Sequence, residues 1–241
     1  MGQSLRTASQ TRGMGVFIFW KLSRMLPLET VISFFGIAVM LAFAPGPDNV
    51  FVLMQSATNG RRAGLFVVLG LCTGLVGHTL AVTVGLAAVV AASATAFTVL
   101  KLAGAAYLLY LAWGAWRAVP EVRATPTADG SGPAPARTPP SGWALYRRGI
   151  IMNLTNPKVS LFFLAFLPQF TSPARGSVAL QTVSLGALFM LATLLVFGGI
   201  AFFSGLFGER IQGSARVQRG LNRFAAVVFA GLALRLLTSE R

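Results

Sequence analysis

The sequence contains very little cysteine, histidine or acid, and each shortage excludes a class of function. Its only cysteine is Cys72, so an intramolecular disulfide, a CxxC thiol pair and a cysteine zinc cluster are all excluded. Its only histidine is His78, and it has six acidic residues in 241. This inventory supplies neither a metal-ligand set nor the nucleophile and base that an intramembrane enzyme needs. We therefore expect no metal, no cofactor and no enzymatic activity.

Charges of both signs are scarce as well. Charged residues make up 11% of the chain and hydrophobic residues 55%, whereas a soluble domain has roughly 25% charged residues. The composition predicts an integral membrane protein in contact with lipid. The formal net charge is +14, but the basic residues cluster between apolar runs, which is typical of membrane orientation. We expect no nucleic-acid partner.

Six apolar runs are each long enough to cross a bilayer as a helix, which takes about 20 residues. The runs lack the alternation of strands, so the predicted fold class is an all-α integral membrane protein. We number these predicted spans 1 to 6. They are residues 28–56, 64–91, 96–117, 147–169, 177–204 and 219–238.

A segment rich in proline, alanine and glycine divides the spans into two sets of three. The predicted domains are an N-terminal extension (1–24), a first three-helix repeat (25–118), a flexible linker (119–143) and a second three-helix repeat (144–241). An odd number of spans per half gives the two halves opposite topologies, which is the inverted-repeat plan of many secondary transporters. The extension lacks the features of a signal peptide, and a translation start at Met25 would exclude it.

Arginines indicate the orientation of the spans. They concentrate after span 1, between spans 3 and 4, and between spans 5 and 6. The positive-inside rule therefore places these three loops in the cytoplasm and both termini outside. The basic residues of the extension conflict with an outside N-terminus, and a start at Met25 removes that conflict.

Span 1 is interrupted by the sequence "APGPDN". Pro45 and Pro47 each remove a backbone donor and clash with the preceding turn, and Gly46 weakens the helix between them. Asp48 and Asn49 follow directly. A simple proline kink needs no adjacent acid and amide, so the pattern favours a broken helix that forms a polar site at membrane depth.

Span 4 contains a matching interruption, "NLTNPKVS", with Asn153, Asn156, Pro157 and Lys158 in an apolar run. Apart from Glu29 at the very start of span 1, Asp48 is the only acid inside a predicted span, and Lys158 is the only lysine near the middle of one. Both lie ~15–20 Å from the arginines that flank their spans, at 1.5 Å per residue. We predict that the two charges face each other in a cavity where the broken helices meet and neutralise each other there. The alternative is a static ion pair that only fixes span 1 to span 4.

Span 2 carries Gly70, Gly74 and His78 at intervals of four, which places them on one helical face. The glycines are typical of close helix packing. His78 is a candidate proton carrier on the substrate or ion pathway, and the alternative is a hydrogen-bonded structural histidine.

Five stretches resemble the LysE/RhtB family of bacterial amino-acid exporters: "FAPGPDNVFVL", "NGRRAGL", "GLxxGxxxH" in span 2, "LKLAGAAYLLYLAW" and "GIIMNLTNPKVSLFFLAFLPQF". The resemblance covers residues 26–238. It implies a six-helix, multi-pass protein of the bacterial inner membrane that exports amino acids, with protons as the coupling ion. Leu75 stands where many family members have an acidic residue, which favours a neutral substrate such as threonine, homoserine, leucine or cysteine, or a close derivative.

Two further functions remain open at this point. One is a transporter or channel for another small solute or ion on the same scaffold. The other is an assembly subunit with no transport of its own, which would tolerate Asp48→Asn with no change beyond stability. The sequence is also compatible with a homo-oligomer.

Overall fold

The computed structural model describes residues 25–92, 94–119 and 139–238, and none of these residues forms a strand. The predicted extension and most of the predicted linker lie outside the described residues. After Leu161 the chain passes through a π-helical turn, Phe162–Phe166, and two 3-10 turns, Leu167–Phe170 and Pro173–Arg175. The helices are α1 (Leu28–Phe43), α2 (Pro47–Asn59), α3 (Arg61–Ala92), α4 (Ala94–Arg117), α5 (Gly142–Leu154), α6 (Pro157–Leu161), α7 (Val178–Gly213) and α8 (Ala215–Thr238).

In the described part of the chain, three helical segments are each long and apolar enough to cross a membrane: Arg61–Gly85, Val178–Ser204 and Ala215–Thr238. Two bent pairs also qualify when each pair is counted as one span, which raises the number to five. The first pair, α1 and α2, is bent by 63°, and the second, Gly142–Leu154 with Pro157–Phe170, by 49°. The protein is therefore all-helical with three to five candidate spans, and a sixth span through α4 stays a prediction.

The helices form a bundle in which each broken pair packs against a long straight helix. α1 and α2 pack on α7, α5 packs on α3, α3 also packs on α7, and α4 packs along α8. An aromatic cluster joins α1 to the second broken pair. The Phe34 ring lies 5.9 Å from the Phe162 ring, 5.1 Å from the Phe170 ring and 6.5 Å from the Phe189 ring. This cluster fixes α1, the first helix of the first broken pair.

Two glycines allow the backbones of α3 and α5 to approach closely. A Cβ atom on Gly70 would lie 2.1 Å from the carbonyl oxygen of Tyr146. A Cβ on Gly149 would lie 2.4 Å from the carbonyl oxygen of Val67. Only glycine fits at both positions, so this contact belongs to the small-residue type common in membrane helices.

Arginine-aromatic contacts bring the basic ends of several helices together. The Arg61 guanidinium lies 4.3 Å from the centre of the Phe202 ring, which joins the start of α3 to α7. The Arg148 guanidinium lies 4.6 Å from the centre of the Phe51 ring, which joins α5 to α2. We call this end of the bundle the arginine end, and the positive-inside rule predicts that it faces the cytoplasm.

Candidate functional site between the two helix breaks

The first break leaves backbone carbonyls without their helical donors. Pro45 has no N–H, so the carbonyl of Leu41, four residues earlier, cannot form its usual helical hydrogen bond. The Lys158 ammonium donates to this carbonyl at 3.4 Å and to the carbonyl of Ala44 at 3.0 Å. A side chain from the second half of the chain therefore caps the C-terminal end of α1.

A second donor to this break comes from α2 itself. Gly46 is extended, with φ of −169°, so its N–H does not continue the α1 ladder to Ala42. The Asn49 side chain replaces it and donates to the Ala42 carbonyl at 2.7 Å. Asn49, the last residue of "APGPDN", thus supplies the hydrogen bond that the extended backbone at Gly46 does not make.

The second break also leaves a backbone carbonyl without its helical donor. Pro157 deprives the carbonyl of Asn153 of its helical donor. His78 Nε2 lies 3.1 Å from that carbonyl oxygen, and because a carbonyl only accepts, the imidazole N–H is the donor. The backbone N–H of Asn156 donates to the same oxygen at 3.1 Å. Each break therefore has one orphaned carbonyl bound by an ionisable side chain from the opposite half.

Asn156 connects the two breaks. Its side-chain N–H donates to Asp48 Oδ2 at 2.7 Å, and its side-chain oxygen accepts from the backbone N–H of Lys158 at 3.0 Å. The first of these bonds is charge-assisted, and the second is an N-cap for α6. The predicted neutralisation of Asp48 by Lys158 across a cavity stays a prediction. No direct ion pair joins them in the described chain, because Asn156 takes the carboxylate and the α1 carbonyls take the ammonium.

The helix ends explain why these charges are tolerated at this depth. Asp48 lies in the first turn of α2, where the positive end of the helix dipole favours an anion. The Lys158 ammonium lies against the last carbonyls of α1, where the negative end favours a cation. Each such placement contributes about 0.3–1 kcal/mol, and up to about 2 kcal/mol when partly buried.

A small internal cavity lies between these groups. Its volume is about 20 Å³, enough for one water molecule, which needs about 10–15 Å³. Asp48 Oδ1 and Asn153 Oδ1 are both buried without a hydrogen-bond partner. The cavity therefore offers two free acceptor oxygens, which could bind the ammonium of a zwitterion, and one ammonium, which could bind its carboxylate. The residues that line it are Leu41, Ala42, Asp48, Leu71, Asn153, Lys158, Val159, Phe189, Thr193 and Phe197.

The structure distributes the other predicted pathway residues around this cavity. Asn156 touches the site through Asp48, and Pro45 and Asn49 line a larger groove next to it. His78 lies behind Asn153 and is not on the cavity wall. A Cβ on Gly74 would lie 2.6 Å from Asn153 Oδ1, so α3 supports that side chain from behind.

Sequence reasoning missed the contribution of α7 to the cavity wall. Phe189, Thr193 and Phe197 recur at intervals of four along α7 and line one side of the cavity. Thr193 is only 3% exposed, and a hydroxyl inside an apolar span was the one available signal. In the described residues, no three His, Cys, Asp or Glu side chains are grouped as metal ligands.

Comparison with known proteins gives a consistent picture. The family model described as "LysE type translocator" matches residues 39–240. A homoserine/homoserine lactone efflux protein of Salmonella typhimurium is 32% identical over 204 residues, covering 85% of this chain and 93% of the relative. An uncharacterised membrane protein of Vibrio cholerae is 32% identical over 84% of this chain and 94% of its own length. One from Bacillus subtilis is 25% identical over 86% and 98%. No solved structure matches significantly.

Proposed function

Because this chain belongs to the LysE type translocator family, we propose that it exports small neutral amino acids or close derivatives in exchange for protons. Members of this family are transporters, so the chain is a multi-pass membrane transporter and not an enzyme. Threonine, homoserine, leucine and cysteine are the proposed substrate types. The Salmonella relative is named for homoserine and homoserine lactone efflux, which supports a substrate with a small uncharged side chain.

One observation carries the proposal: the Asp48 carboxylate is held by Asn156 through one oxygen and leaves the other without a partner at the cavity. The ammonium group of a substrate would bind Asp48 Oδ1 and Asn153 Oδ1. Its carboxylate would bind the Lys158 ammonium and the first amides of α2, which have no side-chain cap. Every charge then stays paired during binding, which avoids the cost of a stranded buried ion.

The size of the cavity implies a conformational change. At about 20 Å³ it is too small for an amino acid, so the described conformation is closed around the site. The two breaks supply flexible joints on opposite sides of it. We propose an inverted repeat of six spans, in which the broken pairs swing against α3 and α7. The helix contacts support this: α1 and α2 pack on α7 as α5 packs on α3, while α3 contacts α7 and α4 contacts α8.

Proton coupling is assigned to Asp48. A proton that reaches its carboxylate from outside would displace the substrate ammonium, which leaves to the exterior as the protein returns with a neutral Asp48. Loss of that proton to the cytoplasm would regenerate the carboxylate for the next substrate. The carboxylate is thus the group that binds either a proton or an ammonium.

The test uses proteoliposomes loaded with homoserine and an imposed proton gradient. Asp48→Asn keeps the shape of the side chain and is expected to abolish gradient-driven export while leaving the protein folded. Glu29→Gln is the matched control, since Glu29 is exposed at the start of α1. Lys158→Ala should also abolish export. Gradient-driven export by Asp48→Asn at the wild-type rate would refute this assignment.

A further inference from the structure

A groove much larger than the central cavity runs between the broken first pair and the helices α7 and α8. Its volume is about 840 Å³, within the range of about 300–1,000 Å³ that is usual for small-molecule sites. Val119, just past the end of α4, and Gln218, in the first turn of α8, line one end of the groove. The groove therefore reaches the arginine end of the bundle.

The groove and the central cavity are lined by neighbouring residues of the same two helices, α2 and α7. Asp48 lines the cavity and Asn49 lines the groove. On α7, Phe197 lines the cavity and Val196 the groove. Neighbouring residues of the same helices therefore face the two spaces, and a small rotation of α2 or α7 would join them.

The lining of the groove is polar in places, and none of its described residues is charged. Asn49 and Asn222 contribute amides and Ser204 contributes a hydroxyl, while the remaining described lining is largely apolar. Asn49 Oδ1 is buried and has no hydrogen-bond partner. Asn49, next to Asp48, is the member of this set predicted to lie at membrane depth. A polar side chain there is unfavourable against lipid, so Asn49 indicates a space for water and polar solute.

We propose that this groove is the entrance for the transported solute from the arginine end, and that it binds a neutral amino acid before the central site does. This inference rests on the proposed function. Once a rotation of α2 exposes the buried Asn49 Oδ1, the solute ammonium would bind this oxygen and then transfer to Asp48 Oδ1, on the neighbouring residue of α2. The absence of charge in the described lining selects uncharged side chains, since a lysine side chain would find no counter-charge there.

Because Cys72 is the only cysteine of the chain, its replacement leaves an introduced cysteine as the only thiol. In a Cys72→Ala background, Asn222→Cys places a thiol in the groove, and Phe224→Cys places one two residues away on the exposed face of α8. A charged, membrane-impermeant thiol reagent applied at the arginine end should label Asn222→Cys about 100-fold faster, because a charge is disfavoured by roughly that factor in hydrocarbon. Leu53→Cys, on the α2 wall, is a second reporter if Asn222→Cys is poorly folded.

Substrate protection tests the selectivity of the groove. Homoserine or leucine should slow labelling of the groove thiol, and lysine at the same concentration should not. Equal labelling of the groove and control thiols, or labelling that no neutral amino acid slows, would overturn the inference. Homoserine export measured in the same vesicles separates the two proposals. If homoserine is exported but no neutral amino acid slows labelling of the groove thiol, the groove inference fails and the proposed function is unaffected. If no neutral amino acid is exported, the proposed function itself fails.

Discussion

Asn156 is the residue whose replacement tests the geometry of the site most directly. Its side-chain N–H donates to Asp48 Oδ2 at 2.7 Å, and its side-chain oxygen accepts from the Lys158 backbone N–H at 3.0 Å. Asn156→Ala removes both. A hydrogen bond to a charged group contributes about 1.5–3 kcal/mol and an N-cap about 0.5–2 kcal/mol. We therefore expect a destabilisation of roughly 2–5 kcal/mol.

Asn156→Ser separates the two contributions. Serine is a good N-cap, but its side chain is too short to replace the amide that binds Asp48. The remaining loss of about 1.5–3 kcal/mol corresponds to a shift of roughly 10- to 150-fold in the unfolding equilibrium.

The measurement is SDS-induced unfolding of the purified protein in mixed micelles, followed by loss of helical signal. A double-mutant cycle with Asp48→Ala, which removes the acceptor, measures the bond itself and should give a coupling energy well above the ~0.3–0.5 kcal/mol scatter of independent sites. If Asn156→Ser is as stable as the wild type, or if the cycle gives no coupling, the proposed bridge between the breaks is wrong.

Two glycine substitutions with matched controls follow from the same geometry. In Gly46→Ala, the new Cβ lies 3.2 Å from the Lys158 ammonium, and the extended backbone accepts alanine, so export should fall while folded yield is kept. Gly36→Ala, with nothing within 4 Å, should leave export unchanged, and equal export by both variants would contradict this. Gly70→Ala places a Cβ 2.1 Å from a backbone carbonyl and should destabilise the bundle by about 1–3 kcal/mol. In the same unfolding assay, Gly85→Ala, with open space around it, should be neutral or slightly stabilising, and similar losses in both would refute the close α3–α5 contact.

The helix breaks were readable from the sequence because proline acts locally. Pro45 and Pro157 each remove one donor whatever surrounds them, and the chain bends at both places. The similar positions of Asp48 and Lys158 along their spans were predicted from the constant rise per residue, and their depth in the membrane stays a prediction. Both side chains do line one cavity.

The partners of these groups could not be read in the same way. Residue spacing gives depth along a helix but does not fix how neighbouring helices are rotated, so a direct Asp48–Lys158 pair and the observed arrangement had equal support. Asn156 was recognised as part of a break, while its bond to Asp48 depends on how α6 lies against α2. The wall formed by α7 was missed because a regular apolar helix carries no local irregularity.

The reciprocal capping of the breaks leads to a last prediction. Lys158, from the second half, binds the orphaned carbonyl of Leu41, and His78, from the first half, binds that of Asn153. If the two breaks move as one unit, losing either cap should alter the equilibrium that the other cap controls. We expect Lys158→Met and His78→Leu to be non-additive in SDS unfolding, with a coupling of at least about 0.5 kcal/mol. His78→Gln, which keeps an N–H donor, should restore most of the stability lost in His78→Leu. Strict additivity, with no rescue by glutamine, would mean that the two caps act independently and that the breaks are not mechanically linked through them.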